Sequence, residues 1–364
     1  MKLNSYHAAT LLVAFTTLTA QAKVGTLSGP FTYNNLQVFL VHGDTQLEER
    51  HYATLSEALE RKLVVVRETG NVQQLTIENV SKDVTVFLNA GDIVKGGRQD
   101  RTVRDDLILS PRSGEVPLAT FCVEHGRWTR REDENPAAFS ANTKVLSSRK
   151  EKLAARYGLN QSDVWSGVVE QQMKLNENVS RMAGKSVDIR SAASESSLQL
   201  TLENKDLDAV KGKYLDKLNT VLNGKTDVIG FAYAINGEIN SAEVYNNKSL
   251  FRALWPKLLD AAITEAITEC NWEQHQFRPV RAEEVKAFFE TAFSGSVTER
   301  KVWKTTHVRA YSTPTTVLFE TLDLEADDVW IHKSFIHKGR ENVVVPLDQN
   351  SSEQRQHVPS RLVR

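Results

Sequence analysis

The first third of the chain is a succession of short hydrophobic segments separated by turn-forming residues. Segments 36–41, 63–67, 72–77 and 83–88 either alternate polar with apolar residues or are apolar throughout. Strands of this kind, spaced by about ten residues, are typical of an antiparallel sandwich or an open barrel. We therefore predict an α+β protein with an antiparallel, β-sandwich-like core, beginning with a β-rich domain over residues 23–135.

The hydrophobic period changes in the middle of the chain. Helix-forming residues dominate from 143 to 222, and the apolar positions within 163–182 recur with the period of an α-helix. We predict a helical insertion over residues 136–225, which either braces the sheet or covers it as a lid. A serine-rich stretch at 191–197 is predicted to be a linker or a flexible tip of this insertion.

Strand and helix patterns are mixed in the last part of the chain. Asn236-Gly237 stands between two strand-like segments and is a strong signal for a two-residue hairpin turn. A long amphipathic helix is predicted from Ser249 onwards. We predict that residues 226–345 form an α/β segment packing on the core and that residues 346–364 are a polar tail.

The N-terminus has the features of a secretory signal peptide over residues 1–22. Lys2 gives a positive start, a run of apolar and small residues follows, and a small-x-small pattern precedes Lys23. The apolar run is too short to cross a bilayer as a helix. We expect an exported protein, periplasmic or secreted, without a membrane span.

Charge and composition narrow the classes of partner. The 364 residues include 45 Lys and Arg against 46 Asp and Glu, which gives a net charge of −1. This balance provides no field that favours nucleic acid. The nine histidines lack metal-ligand spacing, and the glycines match neither the dinucleotide nor the P-loop pattern. We expect no metal, no cofactor and no nucleic acid, and the sequence identifies no protein partner.

Glycine and charge are concentrated in one predicted turn. Lys95, Gly96, Gly97, Gln99 and Arg101 lie close together there. A glycine pair can adopt positive φ and direct consecutive N–H groups towards an anion. Gln99 and Arg101 are two positions apart, so an amide and a guanidinium share one face of an extended chain. These five residues form either a site for a small anionic ligand or a hairpin whose charges pair within the chain.

A second polar cluster interrupts a buried-strand pattern at Cys122. Glu124, Arg127 and Trp128 follow it directly. A Glu–Arg pair beside a tryptophan is typical of a buried ion pair with a stacked guanidinium, and it also suits a ligand clamp. In a catalytic alternative, Glu124 or Asp92 acts as a general acid or base.

Cys122 and Cys270 are the two cysteines of the chain. In an oxidising compartment they could pair as a disulfide. The strand pattern at Cys122 and the helix pattern before Cys270 do not require the two residues to be adjacent. We therefore favour two separate thiols, with the disulfide as the alternative.

The two polar clusters together carry a resemblance to a known family. Gly-Asp-x-x-x-Gly-Gly-x-Gln-x-Arg begins at Gly91, and Cys-Val-Glu-x-x-Arg-Trp begins at Cys122. On these motifs the chain resembles the ARG and rhodanese-phosphatase-superfamily-associated protein family over residues of about 25–310. Further matches lie in the segments 55–68, 234–237 and 251–259.

The resemblance implies a family whose biochemical function is unknown. Its name records an association with ADP-ribosylglycohydrolase and rhodanese-phosphatase proteins, which implies a role near ADP-ribose, NAD or phosphate metabolism. It implies no catalytic residues for this chain. An exported member would not act in a cytosolic NAD pathway, so export weakens the implied role near NAD metabolism.

Three hypotheses for function follow. The first is a binding module for a small anionic ligand, such as a nucleotide or an ADP-ribose derivative. In it, Arg101 and Arg127 hold the anion, whereas Gln99 and Glu124 take hydroxyls and Trp128 stacks on the ligand. The second is a hydrolase of the same ligand class with a carboxylate base. The third is a structural envelope protein in which these residues form a buried ion-pair network.

Overall fold

A computed structural model describes residues 25–71, 73–97, 99–125, 139–141, 146–191, 194–273 and 276–339. Helices and large antiparallel sheets both contribute, which confirms the predicted α+β class. The strands in chain order are β1 (Thr26–Tyr33), β2 (Leu36–His42), β3 (Tyr52–Thr54), β4 (Val64–Glu68), β5 (Gln74–Asn79), β6 (Thr85–Leu88), β7 (Ile93–Lys95), β8 (Arg101–Val103), β9 (Leu107–Leu109), β10 (Glu115–Cys122), β11 (Ser140–Ala141), β12 (Val228–Ile235), β13 (Glu238–Tyr245), β14 (Ser296–Trp303), β15 (Thr306–Ser312), β16 (Thr316–Asp323) and β17 (Val329–His337). The helices are α1 (Leu55–Glu60), α2 (Arg149–Lys152), α3 (Gln161–Ala183), α4 (Leu198–Leu202), α5 (Lys205–Leu218), α6 (Lys248–Thr268) and α7 (Ala282–Ala292), and a π-helix (Leu153–Gly158) continues α2.

The largest sheet combines strands from both ends of the described chain. Its eight strands follow the order β1-β2-β12-β13-β17-β16-β15-β14. Each neighbouring pair is antiparallel. Phe39 of β2 lies opposite Ala232 of β12, so strands from the β-rich region and from the C-terminal segment share this sheet.

Two smaller sheets position the polar clusters. Their strand orders are β11-β7-β8-β10-β5-β4 and β3-β6-β9. The first cluster lies where β7 turns into β8, and the second begins where β10 ends. Arg101 of β8 lies opposite Val94 on one side and Cys122 on the other. The sheet therefore brings together two motifs that are separated along the chain.

The Asn236-Gly237 turn joins β12 to β13, which confirms the predicted hairpin. The φ angles of the two residues are 53° and 76°. A type I′ turn requires this combination, which asparagine tolerates and glycine adopts freely. A Cβ on Gly237 would lie 2.7 Å from the carbonyl oxygen of Arg278, so close packing also requires glycine here.

Helix α6 lies at the centre of the main core. The Asn247 side chain caps it by accepting the Leu250 N–H at 2.7 Å. The helix continues past Pro256 to Thr268, which confirms the helix predicted from Ser249. Burial of each large apolar side chain contributes roughly 1.5–3 kcal/mol. Its buried apolar residues include Phe251, Leu254, Trp255, Leu258, Leu259 and Ile263.

The helical insertion packs α3 and α5 against α6. Asn160 caps the start of α3, and Gly184 ends it with a positive φ of 66°. The serine-rich stretch differs from the predicted linker in its described residues. Ser197 caps α4 by accepting the Leu200 N–H at 3.1 Å, and Gln172 of α3 donates to the Ser197 carbonyl at 3.3 Å. These contacts bind the stretch to α3 and α4.

Candidate functional site

The glycine pair forms the turn between β7 and β8. Gly96 and Gly97 have φ angles of 127° and 59°, a region that glycine adopts without steric cost. A Cβ on Gly97 would lie 2.4 Å from Glu68 Oε1 and 2.5 Å from the Phe139 ring. The Gly96 N–H donates to Asp100 Oδ1 at 3.1 Å. The amide that could serve a ligand anion therefore faces a carboxylate of the same turn.

Arg101 is buried beneath this turn, with 2% of its surface exposed. Its NH1 group donates to the carbonyl oxygen of Gln99 at 3.0 Å and to Gln99 Oε1 at 3.3 Å. Its NH2 group lies 3.9 Å from Glu68 Oε2. Among the described residues, no acceptor meets the Nε–H of Arg101. Gln99 and Arg101 are neighbours, as their spacing of two predicts, and both side chains are buried.

Cys122 completes the floor of the turn. Its thiol donates to Gln99 Oε1 at 2.8 Å, and Gln161 of α3 holds its backbone through the Cys122 N–H and carbonyl, each at 2.9 Å. Burial raises the pKa of the Cys122 thiol to about 11. Cys122 and Cys270 do not form a disulfide with each other. The Cys122 thiol therefore acts as a buried donor and not as a thiolate.

Glu124 is fully buried and accepts hydrogen bonds on both carboxylate oxygens. Oε2 accepts the Asp100 N–H at 3.2 Å, and Oε1 accepts the Ser194 hydroxyl at 2.5 Å. The Glu124 carbonyl accepts Gln99 Nε2 at 3.1 Å. Ser197 donates its hydroxyl to Asp100 Oδ2 at 2.9 Å. Two buried carboxylates thus each accept a serine hydroxyl from the helical insertion.

We call residues 194–197 the serine segment. Besides Ser194 and Ser197, its Ser196 hydroxyl donates to the His125 carbonyl at 2.5 Å. Glu124 also forms an isolated β-bridge with Ser197. The serine segment therefore lies over the polar clusters and separates the Asp100 and Glu124 carboxylates from solvent.

The remaining predicted site residues lie in three different situations. Lys95 is partly exposed and pairs with Glu203 at 2.9 Å. Asp92 is buried, where it forms a short ion pair with Lys257 of α6 and accepts the Asn89 N–H at 2.9 Å. Arg127 and Trp128 lie outside the described residues.

A second polar network, which the sequence did not predict, lies at the centre of the molecule. His332 is 1% exposed, and its two ring nitrogens lie 2.8 Å from Asp106 Oδ2 and 2.9 Å from Glu243 Oε2. Burial opposes the charged imidazolium, but the two carboxylates raise the pKa of His332 overall. Lys152 pairs with Glu243 at 2.8 Å. The imidazolium form donates an N–H to each carboxylate, so the buried charges neutralise one another.

The carboxylates of this network are held in their charged form. Burial raises the pKa of each, but the cationic neighbours dominate. For Asp106, His332 and Arg156 hold the pKa well below its usual range. For Glu243, Lys152 and His332 lower the pKa to about 2. The network is therefore a set of paired charges in the interior, the arrangement that makes burial of charge tolerable.

The π-helix delivers Arg156 to the central network. The Arg156 guanidinium lies 3.2 Å from Asp106 and 3.7 Å from Asp105. It also stacks over the Phe319 ring at 4.1 Å. Single π-helical turns are frequent at functional sites, because the extra residue changes where the following side chains point. Tyr157, the next residue, contacts Ser312 at the end of the large sheet.

Glu151 is a buried carboxyl whose pKa is raised to about 7, mainly by burial. One oxygen accepts the Ser148 N–H at 2.7 Å in the capping box of α2. No partner meets the other oxygen within the described part of the chain. Glu265 adds repulsion that also favours the neutral form. Glu151 therefore gains or loses its proton near neutral pH.

Two cavities lie near the helices, and one of them reaches the edge of the second polar cluster at His125. A cavity of about 460 Å³ lies between α5 and α6, where Lys211 pairs with Asp208 at 3.1 Å and with Asp260 at 3.0 Å. A cavity of about 690 Å³ lies along α3, beside the exposed side chain of Met173. Neither cavity is lined by Arg101 or Glu124.

Among the residues that the structure describes, no group of three or more His, Cys, Asp or Glu side chains is arranged to hold a metal ion. Across the same ranges, no helix combines the length and the apolar character needed to cross a bilayer.

Comparison with known protein families gives a match over most of the chain. Residues 25–336 match the family described as ARG and Rhodanese-Phosphatase-superfamily-associated Protein domain. No curated protein and no solved structure matches the chain. The matched range confirms the resemblance seen in the two motifs and extends it through most of the large sheet.

Proposed function

We propose, from the premise that the chain belongs to the ARG and Rhodanese-Phosphatase-superfamily-associated Protein domain family, that it binds a small anionic ligand at the turn between β7 and β8. The ligand class is a nucleotide or an ADP-ribose derivative, which joins phosphate groups to ribose hydroxyls. The family description records an association and gives no activity. The proposal therefore depends on the chemistry of the site.

The buried guanidinium of Arg101 is the observation that carries the proposal. Its Nε–H meets no acceptor among the described residues, and its NH2 group is 3.9 Å from the Glu68 carboxylate. A buried donor left without an acceptor costs about 1–3 kcal/mol. A phosphate satisfies a guanidinium through two parallel hydrogen bonds. An anionic ligand would therefore supply the acceptor that Arg101 lacks.

The two carboxylates beside Arg101 suit the hydroxyl-bearing part of such a ligand. Glu124 accepts the Ser194 hydroxyl at 2.5 Å, and Asp100 accepts the Ser197 hydroxyl at 2.9 Å. A ribose hydroxyl donates the same kind of hydrogen bond as a serine hydroxyl. Replacement of one by the other therefore changes the hydrogen-bond free energy little. We expect ligand binding to displace the serine segment from these carboxylates.

Ser194→Ala tests the proposal, because it removes one competing hydroxyl and leaves Arg101 unchanged. Titration calorimetry and thermal melting would compare ADP-ribose, AMP, ribose 5-phosphate and inorganic phosphate. A ligand at 100 times its Kd stabilises the protein by about 2.7 kcal/mol. Ser194→Ala removes the hydrogen bond to Glu124 that competes with the ligand, so the Kd should fall by up to about tenfold. Ser166→Ala is the matched control, because the Ser166 hydroxyl bonds within α3, to the Ser162 carbonyl at 3.0 Å.

Complete burial of Glu124 favours a second candidate, a structural protein in which the clusters only stabilise the fold. In that case Ser194→Ala lowers the melting temperature, and none of the four compounds binds the parent or the variant. Tighter binding to Ser194→Ala, with unchanged binding to Ser166→Ala, supports the ligand site.

We also propose that the protein is exported. The support is the signal-peptide pattern of residues 1–22, with its small-residue site before Lys23. N-terminal sequencing of the protein from a periplasmic or secreted fraction should begin near Lys23. An intact Met1 in the cytosolic fraction would contradict this.

A further inference from the structure

Three polar side chains meet at one end of the large sheet, apart from both networks described above. Ser312 ends β15, Tyr157 lies in the π-helix and Lys338 follows β17. The Ser312 hydroxyl lies 2.7 Å from the Tyr157 hydroxyl and 2.8 Å from Lys338 Nζ. Lys338 Nζ lies 2.9 Å from the Tyr157 hydroxyl. Each of the three polar groups is thus within hydrogen-bond distance of the other two.

The fold holds each member of this Ser–Tyr–Lys cluster in place. The Lys338 N–H donates to the Thr315 carbonyl at 2.8 Å, across the turn between β15 and β16. Lys338 Nζ lies over the Tyr157 ring at 4.4 Å. Tyr157 also packs on the apolar cluster formed by Val308, Ala310, Val317, Phe319 and Ile336. The positions of the three polar atoms are therefore determined by a strand end, a turn and a packed ring.

The hydrogens of the cluster can connect the serine to the amine. Lys338 Nζ lies within hydrogen-bond distance of three oxygens, the third being the Thr313 carbonyl at 2.7 Å. When Tyr157 donates its hydroxyl hydrogen to Ser312 Oγ, the serine hydrogen is left to point to the lone pair of an unprotonated Lys338 Nζ. Ser312 and Tyr157 are both partly exposed, whereas Lys338 is buried. Ser312 is therefore partly open to solvent, whereas Lys338 is shielded from it.

We propose that Ser312 is the nucleophile of an acyl-transfer site, with Lys338 as its base and Tyr157 as a proton relay. The substrate class is a small ester. A serine hydroxyl needs an adjacent base to become a good nucleophile, and lysine serves as that base in a recurring variant of the serine triad. The proposal is independent of the ligand site at Arg101, because the two groups of residues have none in common.

The reaction balances without a cofactor. Ser312 Oγ attacks the carbonyl carbon of the ester while its proton passes to the neutral amine of Lys338. The bond from the carbonyl carbon to the leaving alkoxide breaks, the alkoxide takes the phenolic proton of Tyr157, and Lys338 returns its proton to Tyr157. The products are acyl-Ser312 and an alcohol. Water then hydrolyses the acyl-enzyme by the same proton path in reverse.

Labelling of the purified protein with a fluorophosphonate probe tests this assignment. Mass spectrometry of the digested protein should locate the probe on Ser312. Hydrolysis of p-nitrophenyl acetate is the second measurement, and Ser312→Ala should abolish both signals. Ser296→Ala is the matched control, because Ser296 lies on the neighbouring strand and its hydroxyl donates to the Ser312 carbonyl at 3.3 Å.

Tyr157→Phe distinguishes a proton relay from a packing role, because it deletes one oxygen and keeps the ring. Labelling and hydrolysis should fall about 10²-fold or more, with a melting temperature close to that of the parent. Lys338→Arg should have a similar effect, and if it fails to fold, Tyr157→Phe alone decides. Absence of the probe from Ser312 would overturn the proposal, as would labelling that Tyr157→Phe leaves unchanged.

Discussion

Replacement of Glu151 by glutamine should stabilise the protein at pH 8 and have a much smaller effect at pH 5. The Glu151 carboxyl is fully buried, and its pKa in the folded protein is about 7, against 4.5 for an ordinary glutamate. A folded-state pKa above the unfolded value means that the neutral form is favoured on folding. The stability that the neutral Glu151 carboxyl contributes to the folded protein is fully present below pH 4.5 and is lost as pH rises to about 7.

The expected magnitude follows from the size of this shift. Each pKa unit corresponds to about 1.4 kcal/mol, so the full loss on deprotonation is roughly 3 kcal/mol. Glutamine cannot titrate, but it retains an oxygen that can accept the Ser148 N–H in the capping box. Glu151→Gln should therefore gain about 3 kcal/mol over the parent at pH 8 and about 1 kcal/mol at pH 5.

Urea unfolding of parent and variant at several values between pH 5 and pH 8 would measure this difference. Glu284→Gln is the matched control, because Glu284 occupies the same capping-box position of α7 but is only partly buried. Hydrogen bonds from Arg278 and Arg281 lower its pKa to about 2, so it does not titrate in this range. Equal pH dependence in the parent and in Glu151→Gln would refute the reasoning. His332 contributes a slope of the same sign to both proteins, so it cancels in the comparison.

Three further predictions concern stability and can be checked by urea unfolding at pH 7. Gly97→Ala should lower the free energy of unfolding by about 1–3 kcal/mol, because a positive φ and two close contacts oppose a Cβ. Gly70 also has a positive φ but is surrounded by open space, so Gly70→Ala should cost less. His332→Gln should cost about 3–5 kcal/mol, since it leaves two buried carboxylates without their shared cation; a loss below 1 kcal/mol would mean that they neutralise otherwise. Asn247→Ala should lower the free energy of unfolding by more than about 1 kcal/mol, because the side chain caps α6 and also donates to two loop carbonyls. Asn204→Ala removes a single cap bond from α5 and should cost less. The reverse order of the two losses would contradict this reasoning.

The central network explains why so many charged residues are buried in this protein. Asp106, Glu243 and His332 come from three distant parts of the chain, and each charge is matched by a neighbour. Breaking one buried pair is costly because it leaves an uncompensated charge. This network therefore couples the large sheet to the turn before β9 and to the helix that carries Lys152.

Local patterns were enough to predict several elements. The Asn236-Gly237 hairpin depends on two adjacent residues that tolerate positive φ. The helix that begins at Lys248 depends on a cap and an apolar period within one segment. The placement of Gln99 and Arg101 on one face follows from their spacing of two. Each of these features is determined within a few residues, so the sequence contains all the information required.

Local patterns did not predict whether a residue lies in the interior or at the surface. The spacing of Gln99 and Arg101 gives their relative direction, but the packing of other segments decides whether that face meets solvent. The serine segment, about 70 residues beyond Glu124, supplies the hydroxyl that closes the site. A serine-rich composition is typical of a linker, so the sequence predicts a linker here. The sequence does not show which carboxylates the serine hydroxyls will meet.

The sequence by itself determined the α+β class, the hairpin, the long helix predicted from Ser249 and the position of the glycine and arginine motif, since these depend on local propensity and periodicity. The tertiary structure alone decided that His332 lies between two carboxylates and that Ser312, Tyr157 and Lys338 share hydrogen bonds. Those contacts join residues up to 226 positions apart. The pairing of β13 with β17 brings Glu243 and His332 together, whereas the packing of other segments on the sheet brings in Asp106 and Tyr157. No local pattern specifies either arrangement.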